Sequence, residues 1–235
     1  MASSVFALRG LHRKLKHLPR QALPITIEIL DKFHQFLDMN NPVILLFGAY
    51  FCWPFFLMSR KSNLVPVSDK KFDGSKQLCR RDIDFNNSFI IVSFEWTKTI
   101  RVGNRVLRLP LAAISNSKFC PGQAYKRMCE LNPFSGDSPA FAALHKKAVV
   151  PIAYRQVQLK FKFLIGQVGL NPKWFPSHSF RRGGASLAAR SGVAPHLIQL
   201  MRDWKSEAYK QYVVHSLTEK YKVARQMRNF VIKQF

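Results

Sequence analysis

Acidic residues are scarce in this chain of 235 residues: 13 Asp and Glu stand against 37 Lys and Arg, a formal net charge of +24 with the histidines neutral. So large a surplus exceeds what solubility needs, and it repels itself unless a polyanion is close. Nucleic acid is the default partner and an acidic membrane surface the second. Glycine and proline are few, 11 and 13, which excludes collagen-like or low-complexity character. The four cysteines, at 52, 79, 120 and 129, form no CxxC pair and no Cys/His cluster with zinc-finger spacing. Neither a disulfide scaffold nor a structural zinc site is expected, and a reducing compartment suits the composition. The N-terminal segment lacks the order of basic region, apolar stretch and small-residue cleavage site that marks a secretory leader. Long apolar runs are limited to Val43–Met58. That run is shorter than the roughly 20 residues a membrane span needs and contains Pro54, so it is expected to be a helix buried in a globular domain.

What the chain does have is apolar material: 47% of residues are hydrophobic, enough for a real core. Residues 1–23 hold five Lys or Arg, two His and no acid, and are taken as a basic lead-in or linker ahead of a domain over 24–235. From Ile25 to Met39 apolar residues recur with helical spacing, a helix with Pro24 near its start and Asn40-Asn41 at its end. Phe89 to Trp96 is short and rich in β-branched and aromatic residues, a strand; Gly103-Asn104 is a turn signal and Val106–Leu109 a returning strand. Lys98 then lies in a β-hairpin, near the turn end of its first strand. Helices are expected at 121–131, 152–168, 178–190, 195–201, 206–213 and 217–230, with Pro110, Pro139, Pro151, Pro172 and Pro176 between elements. The expected fold is α+β: mostly helical, with one small antiparallel sheet.

His178-Ser-Phe-Arg181 places an imidazole and a guanidinium three residues apart on one helix face. Such a pair can hold one phosphate, the arginine bidentately and the histidine through a ring nitrogen. The spacing alone is weak, since a helix-start histidine beside a surface arginine is common. Gly183 and Gly184 follow; two glycines inside a helix cost stability and usually serve close backbone approach. Further on, Asp203-Trp204-Lys205-Ser206-Glu207-Ala208-Tyr209-Lys210-Gln211-Tyr212 sets phenols among basic residues. A phenol with a reference pKa of about 10 needs positive neighbours to attack at neutral pH. Core packing is the plainer role for either tyrosine.

HSFRRGGAS followed by DWKSEAYKQY resembles the catalytic domain of the tyrosine recombinases, the phage-integrase family, and most of all its eukaryotic mobile-element branch of crypton- and DIRS-type elements. The resemblance covers residues from about 24 to 230. It implies a six-member constellation in fixed order, and each position has a match: Arg60 after the long apolar run, Lys98 on the hairpin, His178 and Arg181 in HxxR, Trp204 in the His/Trp position, and Tyr212 as nucleophile. It further implies DNA integration and recombination by strand cleavage and rejoining through a 3′-phosphotyrosyl intermediate. Arg60 and Arg181 would clamp the scissile phosphate and stabilise its transition-state charge. Lys98 would protonate the leaving 5′ oxygen, while His178 and Trp204 would brace the phosphate; Arg182 and Lys205 would contact DNA. No cofactor and no metal are implied, which fits a chain with no P-loop and no carboxylate triad. The implied partners are double-stranded DNA and further copies of the chain in a tetrameric synapse, with no membrane. The implied location is the nucleus if the source is eukaryotic.

Four features depart from that pattern. Arg202 stands where a glycine usually precedes Asp-Trp. Pro54 interrupts the helix delivering Arg60. Trp204 and Tyr212 are eight residues apart where many members have nine, so Tyr209 stays a second candidate. Residues 1–23 are too few for the core-binding domain these enzymes carry, so a catalytic domain alone is expected. A DNA-binding module of the same descent without turnover is the alternative reading.

Overall fold

The computed structural model describes residues 22–38, 41–86, 88–97, 100, 105–201 and 217–234. Helix α1 (Ile27–His34) starts one residue after Thr26, whose hydroxyl accepts from the Ile29 N–H at 3.3 Å. It ends at His34, short of the expected stop at Asn40-Asn41, and Asn41 belongs to the next helix instead. The Asn41 side chain accepts from the N–H groups of Val43 and Ile44, at 3.0 and 3.2 Å, and so opens α2 (Pro42–Phe56). An asparagine before a proline is a helix start here, not a stop. Helix α2 is apolar all round and buried from Leu45 onward, apart from Phe47, as a helix at the centre of a core must be. Pro54 does not interrupt it: the residue sits in the last turn, and the helix ends two residues later. Met58 then takes a left-handed backbone, φ +50°, and turns the chain into the single turn α3 (Lys61–Leu64).

A three-stranded antiparallel sheet runs in the order β1-β2-β3, with β1 at Ile83–Phe85, β2 at Phe89–Phe94 and β3 at Leu107–Ala112. Phe89 faces Ala112 and Phe94 faces Leu107. Pro110, expected between elements, lies inside β3 opposite Ile91. Proline lacks a ladder donor, and β3 is an edge strand, where that loss is tolerated. A second pair, β4 (Ala142–His145) and β5 (Ala148–Pro151), forms a hairpin with its own register, so the described residues hold two small sheets where one was expected. Helices α4 (Pro121–Leu131), α5 (Tyr154–Gln167), α6 (His178–Arg190), α7 (Pro195–Met201) and α8 (Leu217–Gln234) complete the described chain. The helix expected at 206–213 lies outside the described residues.

The core is aromatic around α2. Phe51 stacks on Phe180 of α6 with ring centroids 5.5 Å apart, and Phe161 of α5 sits 4.6 Å from Phe180. On the other side Trp53 meets Tyr125 of α4, and its indole N–H donates to the Pro121 carbonyl at 3.2 Å. Helix α8 closes β3: Ala224 and Met227 are buried, and the Lys220 ammonium donates to the Arg108 carbonyl at 3.1 Å. No helix of the described residues is long and apolar enough to cross a membrane.

Candidate active site

Helix α6 lies against α2 and the N-terminal strand-like segment with no room for a side chain between them. A methyl added to Gly183 would stand 1.9 Å from the Ile25 carbonyl oxygen, and one added to Gly184 would stand 1.9 Å from the Phe55 carbonyl oxygen. Both obstacles are backbone. Phe180, Gly183, Gly184 and Leu187 therefore make the buried stripe of α6 at helical spacing. The Ile25 N–H donates to the Ser179 carbonyl at 3.0 Å and fixes the first turn of the helix to the same segment. This seam sets the position of Arg181 relative to the C-terminal end of α2, and so to Arg60 two residues after Met58.

Arg60 and Arg181 line one cleft, together with Ser59, Asn63, Thr97 and Met201. Arg181 is 7% exposed and Arg60 is half-buried. No acidic residue is among the described residues that line the cleft. Two guanidinium groups in one wall, with no acid among the described lining residues, suit an anion, and a tetrahedral oxyanion can accept from donors of both. Ser59 Oγ and Asn63 Oδ1 are buried in the same wall with no hydrogen-bond partner among the described residues. Leaving a buried polar atom unmade costs about 1–3 kcal/mol, and such atoms concentrate where a ligand completes them.

The remaining expected residues divide. His178 opens α6, three residues before Arg181, and is exposed; it does not line the cleft. Arg182 is half-buried on the same helix. Lys98, Trp204, Lys205, Tyr209 and Tyr212, with Arg202, lie outside the described residues. The described residues just before them, Thr97 and Met201, do line the cleft. Thr97 is buried at its wall: the Thr97 N–H donates to the Ile100 carbonyl at 2.9 Å, and the Ile100 N–H donates to the Thr97 hydroxyl at 3.0 Å. On the other side, Gly192 ends α6 with φ +77°. Its N–H and that of Val193 donate to the Ala189 and Ala188 carbonyls, both at 3.0 Å, a reversal that left-handed glycine permits. The chain then runs through α7, whose last residue, Met201, returns to the cleft.

Ser59, Asn63 and Thr97 line the candidate site, and no motif in the sequence marks them. A signal existed for Ser59, the first polar residue after sixteen apolar ones and the neighbour of Arg60. Among the described residues no cluster of His, Cys, Asp or Glu could hold a metal ion.

No protein-family model matches the sequence, and no curated protein matches it. Solved structures do match. The XerH site-specific recombinase bound to its difH substrate in a pre-cleavage complex aligns with a TM-score of 0.56 at 18% identity, over 89% of this chain and 55% of that one. The FLP recombinase in a Holliday junction complex aligns with a TM-score of 0.55 at 14% identity, over 97% of this chain and 57% of that one. This chain thus spans little more than half the length of either. At such identities the likeness is one of architecture: the chain has the α+β fold of the tyrosine-recombinase catalytic domain.

Proposed function

We propose that this chain binds double-stranded DNA and breaks and rejoins its strands through a 3′-phosphotyrosyl intermediate, as a recombinase or integrase of mobile-element descent in the crypton/DIRS branch. The observation that carries the reading is the cleft itself. Arg60 and Arg181, far apart in sequence, share one wall, none of the described residues that line it is acidic, and Thr97 beside Lys98 and Met201 at the end of α7 line it too.

In this reading the two arginines hold the non-bridging oxygens of one DNA phosphate and offset the charge that builds on the pentavalent phosphorus. Tyr212 gives up its phenolic proton, and its oxygen attacks in line. A Tyr–O–P bond forms and the bond from phosphorus to the 5′ oxygen breaks. Lys98 supplies the proton that the departing 5′ oxygen takes. A 5′ hydroxyl from another strand reverses the step, so the bond energy is conserved in the phosphotyrosyl link and no nucleotide is consumed. His178 and Trp204 brace the phosphate, and Arg182 and Lys205 contact the flanking backbone. Several copies assemble on DNA, and a nuclear location follows if the host is eukaryotic.

Incubation with a nicked duplex that loses its 5′ fragment after cleavage tests the reading. The expected result is a covalent protein–DNA adduct, abolished in Tyr212→Phe with duplex binding nearly unchanged, because only one hydroxyl is removed. Tyr209→Phe keeps the adduct. An adduct that survives in Tyr212→Phe and vanishes in Tyr209→Phe moves the nucleophile back by one turn. Binding without any adduct leaves a DNA-binding module of the same fold.

A further inference from the structure

The tip of the β4–β5 hairpin carries a feature that hairpin stability does not explain. His145 pairs with Ala148, so the loop between the strands is two residues long, Lys146 and Lys147. Both have left-handed backbones, φ +48° and +65°. Two positive φ values in a two-residue loop are the signature of the tight turn that selects Asn-Gly or Gly-Gly, because a Cβ crowds the backbone there. Two lysines in succession are a poor choice for folding. Strained residues held at an exposed position are a mark of function.

The surroundings point to the same conclusion. The tip is exposed, and Leu144 and Val149 beside it are 60% and 40% exposed, so the hairpin stands off the body. Its base is anchored near the cleft. Strand β5 leads through Ile152 and Ala153 into α5, whose first residue, Tyr154, donates its N–H to the Pro66 carbonyl at 3.1 Å and carries the Lys61 ammonium 4.7 Å above its ring. Lys61 is the neighbour of Arg60. At about 3.3 Å per residue, four residues of strand place the tip roughly 13 Å beyond that base. This is about the axial rise of four nucleotides along one DNA strand.

We infer that Lys146 and Lys147 form a second contact to the sugar–phosphate backbone of duplex DNA, outside the Arg60–Arg181 cleft. The inference rests on the DNA-binding reading above. The ammonium groups at the tip are point charges that release counterions from the duplex, without base recognition.

Duplex DNA titrations over a salt series on the full chain test it. The double substitution Lys146→Gln/Lys147→Gln is expected to lower affinity by about tenfold at 100 mM salt and to reduce the log–log salt slope by about 1.8, two contacts' worth. The pair Lys162→Gln/Lys233→Gln, exposed lysines on α5 and α8, removes the same charge elsewhere and is expected to change the slope by less. A third variant, Lys146→Asn/Lys147→Gly, is expected to weaken DNA binding as the Gln pair does while raising Tm by about 3 °C, since it relieves both turn positions. Equal losses in the two Gln pairs overturn the hairpin contact in favour of a net-charge effect. Unchanged affinity in the hairpin variants overturns it while DNA binding stands. An unaltered chain that binds no duplex at all overturns both.

Discussion

Arg181 and the lysines of the β4–β5 turn carry the same charge in opposite settings. Arg181 is almost wholly buried on a helix whose neighbouring glycines leave no space for a methyl group. Lys146 and Lys147 stand in solvent at the end of a hairpin. A buried guanidinium is costly unless its donors are used, so its place is fixed by a seam that cannot shift. An exposed ammonium is fully hydrated and has little to lose, so a strained turn at the surface is enough to hold it out. Position is the property maintained in the first region, and charge at a distance is the property maintained in the second.

The largest expected effect breaks the first region. Gly184→Ala drives a Cβ into the Phe55 carbonyl, and Gly183→Ala drives one into the Ile25 carbonyl, each at 1.9 Å. Neither obstacle is a flexible side chain, so helix α6 must move off α2. A loss of about 3 kcal/mol or more is expected for either variant, a fall of roughly 10 °C in Tm at this chain length. Arg181 would then leave the wall it shares with Arg60, and DNA cleavage should fail even in protein that remains folded. Thermal unfolding followed by circular dichroism checks the first part. A Tm within 2 °C of the unaltered chain would mean that the seam is looser than described.

The same substitution with the opposite sign sharpens the contrast. Gly166, near the end of α5, has open space around its would-be Cβ and no left-handed backbone. Gly166→Ala is expected to stabilise by roughly 0.5–1 kcal/mol, the helix penalty of glycine removed. Tm should rise by about 2 °C in the same experiment. Destabilisation here would show that α5 needs the freedom of glycine for a reason its packing does not reveal.

Much of the buried region was legible in the chain. The apolar run at 43–58 marks α2, the β-branched run FIIVSF marks β2, and the adjacent glycines of α6 mark a close approach, because each pattern follows from burial. Boundaries were less legible. Asn41 could end one helix or begin the next, and only the donors that its side chain meets decide between them. The β4–β5 hairpin was not legible at all. Its strands are Ala- and Val-rich and largely exposed, so no alternation marks them, and the turn lacks the Asn-Gly that usually announces it. At the cleft, the arginines stand out by motif and resemblance. Ser59, Asn63 and Thr97 do not, because small polar residues acquire meaning only when burial removes their water.

The smallest expected effect lies at the border between the two kinds of region, at His34. This histidine is half-buried at the end of α1, with its ring edge-on to Phe119 at 5.7 Å. Burial pushes its pKa below the ordinary value of 6.5; Lys118 adds to that shift, while Asp31, itself paired with Lys118, opposes it. The folded state therefore binds this proton less readily than the unfolded chain does. Stability from His34 is complete above pH 6.5 and is lost as pH falls below that value toward the folded pKa. Exposure to solvent keeps the effect small, on the order of 1 °C in Tm between pH 7.5 and 5.5. His34→Gln keeps a neutral polar side chain that does not titrate, and it should flatten this part of the Tm–pH curve while leaving the carboxylate-driven fall below pH 5 in place. A curve with the same slope in both proteins would assign the decline to other groups. A slope of opposite sign in the unaltered chain would mean that Asp31, not burial, governs the histidine.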